Sequence, residues 1–211
     1  MASYFANHAR RVRFPWSLYH RDLARRIAAV VGAHGLEPRV LVVGCGLEPF
    51  VEGGPAGATY FGCDVDPRTI DACQSLHPEM RDRLAVCPSG DELPEAGGFG
   101  ELFDVVLAKE VVEHVLDPAR WAQMVAKKLR PGGDLVLTTP NYGAWSTLPI
   151  LEATVLELFA RRDGYSRRHI HPSKFDRGSL ERLDVGPSMK LVRVEKTWTR
   201  WAMVGRWTKA A

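Results

Sequence analysis

The chain has 211 residues, of which 45% are apolar, so it can bury one substantial core and we expect a single domain over residues 1–211. Its formal net charge of +3 is too small to indicate a nucleic-acid partner. No segment approaches the roughly 18 consecutive apolar residues of a membrane span, and residues 1–13 lack the apolar core of a signal peptide, so we expect a cytoplasmic protein. The four cysteines show no Cys-x-x-Cys spacing, and neither a disulfide nor a zinc site is predicted.

Helical and strand patterns alternate along the chain. Apolar spacing and stop signals predict helices at residues 17–33, 68–76, 118–129, 148–159 and 179–183. Apolar runs and one alternating segment predict strands at residues 40–43, 60–64, 84–87, 102–107, 134–138 and 190–196. This order is typical of an α/β three-layer sandwich: a mostly parallel, Rossmann-like sheet of about seven strands, helices on both faces and an antiparallel last strand. We also expect an N-terminal helical segment, residues 1–37, and a capping insertion at about residues 143–175.

The first strand ends in a glycine turn, Gly44-Cys45-Gly46, and the second strand ends in an acid, Asp64. Without a Cβ, the turn lets a ligand lie against the backbone, and an acid at the tip of the next strand can accept hydrogen bonds from both ribose hydroxyls. The pair therefore predicts a nucleoside-containing cofactor. Dinucleotide dehydrogenases and methyltransferases both have this half of the architecture, but Glu48 and Pro49 occupy the region where a dinucleotide fold needs a third glycine.

Further segments follow the glycine turn in a fixed order. They are Phe103-Asp104-Val105-Val106, Glu110-Val111-Val112-Glu113-His114-Val115, Leu129-Arg130-Pro131-Gly132-Gly133 and Thr138-Thr139-Pro140-Asn141. With the turn and Asp64, they resemble the class I S-adenosylmethionine-dependent methyltransferases over about residues 38–183, and the ubiquinone-biosynthesis O-methyltransferases are nearest in appearance.

The resemblance implies a cofactor-binding role for each matching residue. The turn residues Gly44, Cys45 and Gly46 would face the methionine part of S-adenosylmethionine, and Asp64 would take the ribose hydroxyls. At the far end of the site the implied residues are Val65 against the adenine, Asp91 near the adenine amino group, and Lys109, whose backbone passes the cofactor. Two positions depart from the family: most members have an acid where this chain has Val42 and a glycine where it has Glu48.

Methyl transfer is an in-line displacement in which the enzyme places a nucleophilic atom behind the methyl carbon. Glu110, Glu113 and His114 are spaced i, i+3 and i+4, which predicts one face of a helical turn just beyond the fourth strand. In some relatives such a segment and a later histidine, matched here by His171, bind a divalent metal such as Mg²⁺ or Mn²⁺ that lowers the pKa of the acceptor hydroxyl. The alternative needs no metal: Glu113 braces the segment, and His114 or His171 acts as the general base. His169 is the weaker candidate.

The acceptor is expected to be a small molecule. Residues 161–174 hold five Lys or Arg residues against one Asp, which favours an anionic acceptor, while a solvated cap loop explains the same pattern. We expect an O-methyltransferase; an N-methyltransferase, an RNA-end 2′-O-methyltransferase, an inactive methyltransferase-like binding subunit and a nicotinamide oxidoreductase are the alternatives. Trp198, Trp201 and Trp207 indicate either an apolar pocket or a dimer contact, so both a monomer and a homodimer are open.

Overall fold

The computed structural model of the chain describes residues 16–87, 90, 92–144, 146–154 and 171–211. Its strands are β1 Arg39–Val43, β2 Thr59–Asp64, β3 Leu84–Val86, β4 Phe103–Lys109, β5 Leu129–Pro140, β6 Met189–Lys196 and β7 Ala202–Lys209. Its helices are α1 Trp16–Gly32, α2 Pro67–Leu76, α3 Pro118–Ala126, α4 Leu148–Ala153 and α5 Arg177–Glu181. Short 3-10 helices span Pro78–Arg83, Gly97–Gly100 and Val112–His114.

The strands form one seven-stranded sheet in the order β3-β2-β1-β4-β5-β7-β6. The first five strands pair in parallel, whereas β7 runs antiparallel to both β5 and β6. The predicted α/β sandwich with a mostly parallel sheet and an antiparallel last strand is confirmed. Because the strand order reverses between β1 and β4, the carboxyl ends of these two strands border the crevice where ligands bind in open parallel sheets.

Apolar side chains of each strand alternate between two core clusters, one on each face of the sheet. On β1, Val40 and Val42 join the cluster that contains Leu23 and Ile27 of α1. Its neighbours Leu41 and Val43 join the other cluster, to which Trp121 of α3 and Leu180 of α5 contribute. Strands that are buried on both faces read as continuous apolar runs, which is why the sequence pattern predicted them.

Helix ends follow local capping chemistry. The side chain of Asp66 accepts a hydrogen bond from the Arg68 backbone N–H at 3.0 Å, and Pro67 is the first residue of α2, as predicted. Helix α5 lies at residues 177–181, not 179–183, because Asp176 and Ser179 form a capping box that begins the helix earlier. Helix α3 was predicted to run to residue 129 but ends at Ala126, because β5 already begins at Leu129.

Strand β7 was missing from the predicted elements. It follows β6, which matches the predicted strand at residues 190–196. Trp207 of β7 is buried, and its ring lies over Gly205, where any Cβ would collide with it. Trp207 is therefore a core residue, and neither the pocket nor the dimer interpretation holds for it; Trp198, in contrast, is 63% exposed.

Several predictions fall on parts of the chain that are not described. Residues 1–15 and 155–170 are among them, so most of the capping insertion and the end of the predicted helix at residues 148–159 stay predictions. Within the described ranges, no helix combines the length and the apolar character that crossing a membrane requires. The cytoplasmic location and the monomeric or homodimeric state also stay predictions.

A buried acid fastens the sheet at the end opposite the carboxyl edge. Asp134, fully buried in β5 beside Val105 of β4, accepts hydrogen bonds from His34 Nε2 at 2.7 Å, Arg206 at 2.7 Å and Thr208 Oγ1 at 2.5 Å. Burial alone would raise the pKa of the Asp134 carboxyl, but the hydrogen bonds from these three partners outweigh it and lower the pKa. The network joins the end of α1 to β5 and to β7, which pairs with β5 in the sheet.

The variant Asp134→Asn tests this network. We expect its free energy of unfolding at neutral pH to fall by about 3 kcal/mol, because Arg206 would lose its buried counter-charge. The folded-state pKa of Asp134 is lowered, so the ionised carboxyl stabilises the fold in full at pH values above the ordinary aspartate pKa of about 3.9. This stabilisation is lost as the pH falls through the folded-state pKa. Urea unfolding at several pH values measures both effects.

The exposed Asp82 provides the matched control, since Asp82→Asn removes the same charge from the surface and should change stability by less than about 0.5 kcal/mol. Equal stability of the two variants at pH 7 would contradict the assignment. A difference between wild type and Asp134→Asn that grew as pH fell below about 4 would contradict the direction of the pKa shift.

Candidate active site

The glycine turn lies at the carboxyl end of β1 in a conformation that demands glycine. Gly44 and Gly46 have φ values of 66° and 57°, in the left-handed region that residues with a Cβ rarely adopt. A Cβ on Gly44 would also run into the Val111 side chain of the segment that follows β4. Position 44 therefore requires glycine, because Val111 already fills the space that a Cβ would take.

The turn is held to the second strand by hydrogen bonds. Cys45 N–H donates to the Cys63 carbonyl at 3.0 Å, and Gly46 N–H donates to Asp64 Oδ2 at 3.0 Å. The second oxygen, Asp64 Oδ1, accepts from Asp66 N–H at 3.0 Å. A carboxylate has about four acceptor positions, so two backbone bonds orient Asp64 and leave acceptor capacity toward the turn.

Cys45 belongs both to the core and to the site. Its thiol is buried and donates to the Gly46 carbonyl at 3.6 Å. A hydrogen bond with Cys73, and after it burial, raise the pKa of the Cys45 thiol well above its usual range. Cys45 thus lines the cavity as a buried member of the core. All four cysteines are free and buried.

A cavity of about 360 Å³ opens beside the turn. This volume is within the usual range for small-molecule sites, about 300–1,000 Å³. The predicted cofactor residues among its lining are Gly44, Cys45, Gly46, Asp64, Val65 and Lys109. The remaining predicted cofactor residue, Asp91, lies outside the described residues.

Other lining residues were not predicted. Cys87 and Trp121 line the cavity, as do Thr69 and Leu93. Cys87 directly follows β3, so the rule that parallel strands present their carboxyl ends at one edge could have identified it. Trp121 carried no signal other than the apolar spacing of its helix.

An ion pair lies on the wall of the cavity. Lys109 Nζ donates to Glu48 Oε2 at 2.6 Å, and both residues line the cavity. Val42, which stands where most relatives have an acid, is 2% exposed and packs in the core. The sequence identified Val42 and Glu48 as departures but did not indicate that Glu48 would meet Lys109, 61 residues later.

A second group of side chains gathers at the end of β4. One ligand atom from each of Glu113, His114 and His171 lies within 4.8 Å of the others. The two imidazole rings meet edge to face with centroids 4.8 Å apart, and Glu113 is 1% exposed. His114 also lines the cavity, so this group adjoins the glycine-turn side of the site.

The expectation that Glu110, Glu113 and His114 lie on one face of a helical turn is wrong. The 3-10 helix begins only at Val112, and Glu110 precedes it with a φ of 56°. The Glu110 backbone N–H donates instead to Thr138 on β5, at 3.1 Å to both its carbonyl and its hydroxyl oxygen. Glu110 lines the cavity but is not among the residues that the cluster brings together.

Backbone contacts bring the distant His171 to this cluster. Ser173, two residues later, donates its N–H to the Glu113 carbonyl at 3.1 Å and its hydroxyl to the Val115 carbonyl at 2.7 Å. Tyr142 N–H donates to the Phe175 carbonyl at 2.8 Å, which joins the same segment to the end of β5. His169 and the basic residues 161–168 lie outside the described residues.

Tyr142 is a site residue that the sequence did not single out. Its hydroxyl lies 2.5 Å from His171 Nδ1, and Lys174 Nζ lies over its ring, 5.4 Å from the centroid. When His171 Nδ1 carries the hydrogen and donates to Tyr142, Nε2 has the lone pair that a base or metal ligand needs. The position of Tyr142, just beyond β5 at the carboxyl edge, was the available signal.

The comparison with protein families assigns the chain to a family. A family model described as a methyltransferase domain matches residues 15–183. This chain belongs to the methyltransferase domain family. In this methyltransferase the matched region contains both the glycine turn and the Glu113–His171 cluster.

Curated relatives match part of the chain, and a solved structure has a similar fold. A ubiquinone biosynthesis O-methyltransferase of Cereibacter sphaeroides is 36% identical over 124 residues, 57% of this chain and 47% of that protein. The mitochondrial enzyme of that name from Homo sapiens is 37% identical over 112 residues, 49% of this chain and 29% of that protein. The methyltransferase thus spans about half or less of the length of these two relatives. A crystal structure of magnesium protoporphyrin IX methyltransferase from Synechocystis PCC 6803 with bound SAH superposes with a TM-score of 0.66 at 15% identity, covering 99% of this chain and 95% of that one.

Gly44→Ala tests the demand of the turn for glycine. We expect it to lower the free energy of unfolding by about 1–3 kcal/mol, because a Cβ strains the left-handed backbone and collides with Val111. Gly32→Ala at the end of α1 is the control, since a Cβ there meets nothing within 4 Å and alanine favours helix. Chemical denaturation compares the two; equal stability of Gly44→Ala and wild type would contradict the strain argument.

Proposed function

We propose that this methyltransferase binds S-adenosylmethionine and transfers its methyl group to an oxygen atom of a small, anionic acceptor. The observation that carries the proposal is one continuous cavity that runs from the glycine turn and Asp64 to His114. Its first part suits a nucleoside cofactor, and its second part brings a proton acceptor to the same space. The names of the curated relatives favour oxygen over nitrogen as the acceptor atom.

The cofactor would lie along the carboxyl edge of β1 and β2. The carboxylate of Asp64, already oriented by the N–H groups of Gly46 and Asp66, would accept hydrogen bonds from the ribose hydroxyls. Val65 is largely exposed in the cavity wall and offers an apolar surface to the adenine. A role for Asp91 near the adenine amino group rests on the family resemblance alone.

Methyl transfer then requires a base and an aligned acceptor. Without a bound metal, His114 would accept the hydroxyl proton while the acceptor oxygen forms its bond to the methyl carbon; an ion that used the lone pair of His114 would take over this role by favouring the ionised hydroxyl. The carbon–sulfur bond breaks in the same step, and its electron pair stays on sulfur, so the sulfonium leaves as the neutral thioether. His171, held by Tyr142 at 2.5 Å, and the buried Glu113 would hold the imidazole of His114 in place or share its proton.

A divalent metal fits the Glu113–His114–His171 cluster. Donor atoms about 2.1 Å from one ion lie no more than about 4.2 Å apart, so ligand atoms within 4.8 Å of one another need only a small side-chain adjustment. One carboxylate and two imidazoles suit Mn²⁺ better than Mg²⁺, which prefers oxygen ligands. When bound, such an ion lowers the pKa of an acceptor hydroxyl and favours its ionised form.

The acceptor would be anionic because a cationic side chain, that of Lys174, lies close to the cluster. Lys174 is the described member of the basic run, and its Nζ lies over the Tyr142 ring beside His171. An ammonium in that position attracts a carboxylate or phosphate group of the acceptor. A screen of carboxylated phenols, phosphorylated metabolites, amines and short RNA ends, with methylation as the readout, distinguishes this acceptor class from the alternatives.

Asp64→Asn tests the cofactor site. Loss of the charged acceptor should cost about 1.5–3 kcal/mol of binding free energy, or about 10- to 100-fold in Kd for S-adenosylhomocysteine measured by calorimetry. Asp71→Asn on the exposed side of α2 removes the same charge and should leave the Kd unchanged. A Kd for Asp64→Asn equal to that of wild type would contradict the role of Asp64, and wild-type protein that binds no S-adenosylhomocysteine would contradict the proposed function.

Metal removal tests the cluster. We expect dialysis against EDTA to lower methyl transfer about 100-fold or more and Mn²⁺ to restore it, because the ion stabilises the ionised acceptor. Calorimetric titration with MnCl₂ should detect a site in wild type that Glu113→Gln and His171→Asn weaken. His77→Asn at the end of α2 should bind Mn²⁺ as wild type does. Full activity of the metal-stripped protein, or Mn²⁺ binding that neither cluster variant affects, would contradict the metal proposal.

A further inference from the structure

The ion pair between Glu48 and Lys109 occupies a special position in the cavity. Glu48 follows the glycine turn, and its backbone N–H donates to the Cys45 carbonyl at 3.0 Å, so the turn itself positions the residue. Lys109 is the last residue of β4, on the opposite side of the crevice between β1 and β4. Their side chains are 38% and 23% exposed, so both charges are accessible from the cavity.

The cofactor that we propose carries two opposite charges at one end. Its amino-acid part has an ammonium and a carboxylate on the same carbon, and each needs a partner of opposite charge. In the described lining of the cavity, Lys109 is the one Lys or Arg residue, and it lies 2.6 Å from the Glu48 carboxylate. The neighbouring charges of Glu48 and Lys109 thus complement the neighbouring ammonium and carboxylate of the cofactor.

The described lining contains three other acids, of which Glu110 directly follows Lys109 at the β4 side of the crevice and Asp64 and Asp66 have different roles on the β2 side. Asp64 accepts from two backbone N–H groups at the tip of β2. Asp66 caps α2 and accepts from the Arg68 guanidinium at 2.8 Å and 3.0 Å. Position 42, where most relatives have an acid, holds a buried valine in the core. The negative charge that the turn side can offer to the ammonium is therefore that of Glu48.

We infer that Glu48 and Lys109 together bind the amino-acid end of S-adenosylmethionine, with Glu48 accepting from its ammonium group and Lys109 donating to its carboxylate. This inference rests on the proposed function. The existing pair holds both side chains at the wall before the ligand arrives, and a partly exposed ion pair contributes little stability that rearrangement would lose. On binding, four charges of alternating sign would lie in one group.

Two ligands that differ only at this end separate the inference from its alternatives. S-adenosylhomocysteine has the amino-acid end, whereas 5′-methylthioadenosine keeps the nucleoside and the thioether but lacks that end. Calorimetry with both ligands is applied to the whole chain and to the variants Glu48→Gln and Lys109→Met. We expect each variant to raise the Kd for S-adenosylhomocysteine at least about tenfold, because one charged hydrogen bond is lost. The Kd for 5′-methylthioadenosine should change less than about twofold.

The control is Glu181→Gln, which breaks the exposed ion pair between Glu181 and Arg177 on α5 and should bind both ligands as wild type does. Binding of 5′-methylthioadenosine also reports that each variant keeps a folded cavity. We include Glu110→Gln because Glu110 lines the cavity as well, and we expect it to weaken S-adenosylhomocysteine less than Glu48→Gln does.

Three results would overturn the inference while the proposed function stands. In the first, Glu48→Gln and Lys109→Met bind S-adenosylhomocysteine as tightly as wild type or more tightly. In the second, the variants lose affinity for both ligands equally, which indicates that Glu48 and Lys109 have a structural role in the turn. In the third, only Glu110→Gln lowers the affinity for S-adenosylhomocysteine. Wild-type protein that binds neither ligand would overturn the proposed function and this inference with it.

Discussion

The hydrogen bonds between the glycine turn and the tip of β2 are the constraint on which the site depends. Cys45 N–H reaches the Cys63 carbonyl and Gly46 N–H reaches Asp64, each at 3.0 Å, so the β1–β2 pairing continues past the end of the strand. This pairing gives the turn its left-handed glycines and holds Asp64 toward the ligand. The opening between β1 and β4 follows from the strand order, and the cavity forms where the two features meet.

Much of the fold could be predicted from the sequence because its signals are local. A strand buried on both faces is a continuous apolar run, and a helix that begins with Asp66-Pro67 contains its own cap. The glycine turn and Asp64 were likewise recognisable, since the left-handed backbone and the strand tip each demand a residue type. The start of α5 could also have been predicted, because Asp176 and Ser179 have the spacing of a capping box.

The features that escaped prediction depend on contacts between distant residues. Glu48 and Lys109 are 61 positions apart, and Tyr142 and His171 are 29 apart, so spacing could not reveal either pair. Glu110 was misplaced for another reason: its spacing to His114 is helical, but its backbone is left-handed and its N–H bonds to β5. Strand β7 was missed because Trp207 and Gly205 read as isolated residues until the sheet brings the ring over the glycine.

Because Gly44 contacts Val111, a substitution at either position limits which residues the other position can accept. Any Cβ at position 44 meets the Val111 side chain, which itself packs against the buried cluster on that face of the sheet. A longer side chain at position 111, built in the same direction, would enter the turn. The segment that follows β4 and the glycine turn are therefore expected to diversify jointly, and a lineage that retains Gly44 is limited to small side chains at position 111. This size limit falls three residues before His114, so it restricts how the proposed acceptor site can be remodelled when descendants acquire new substrates.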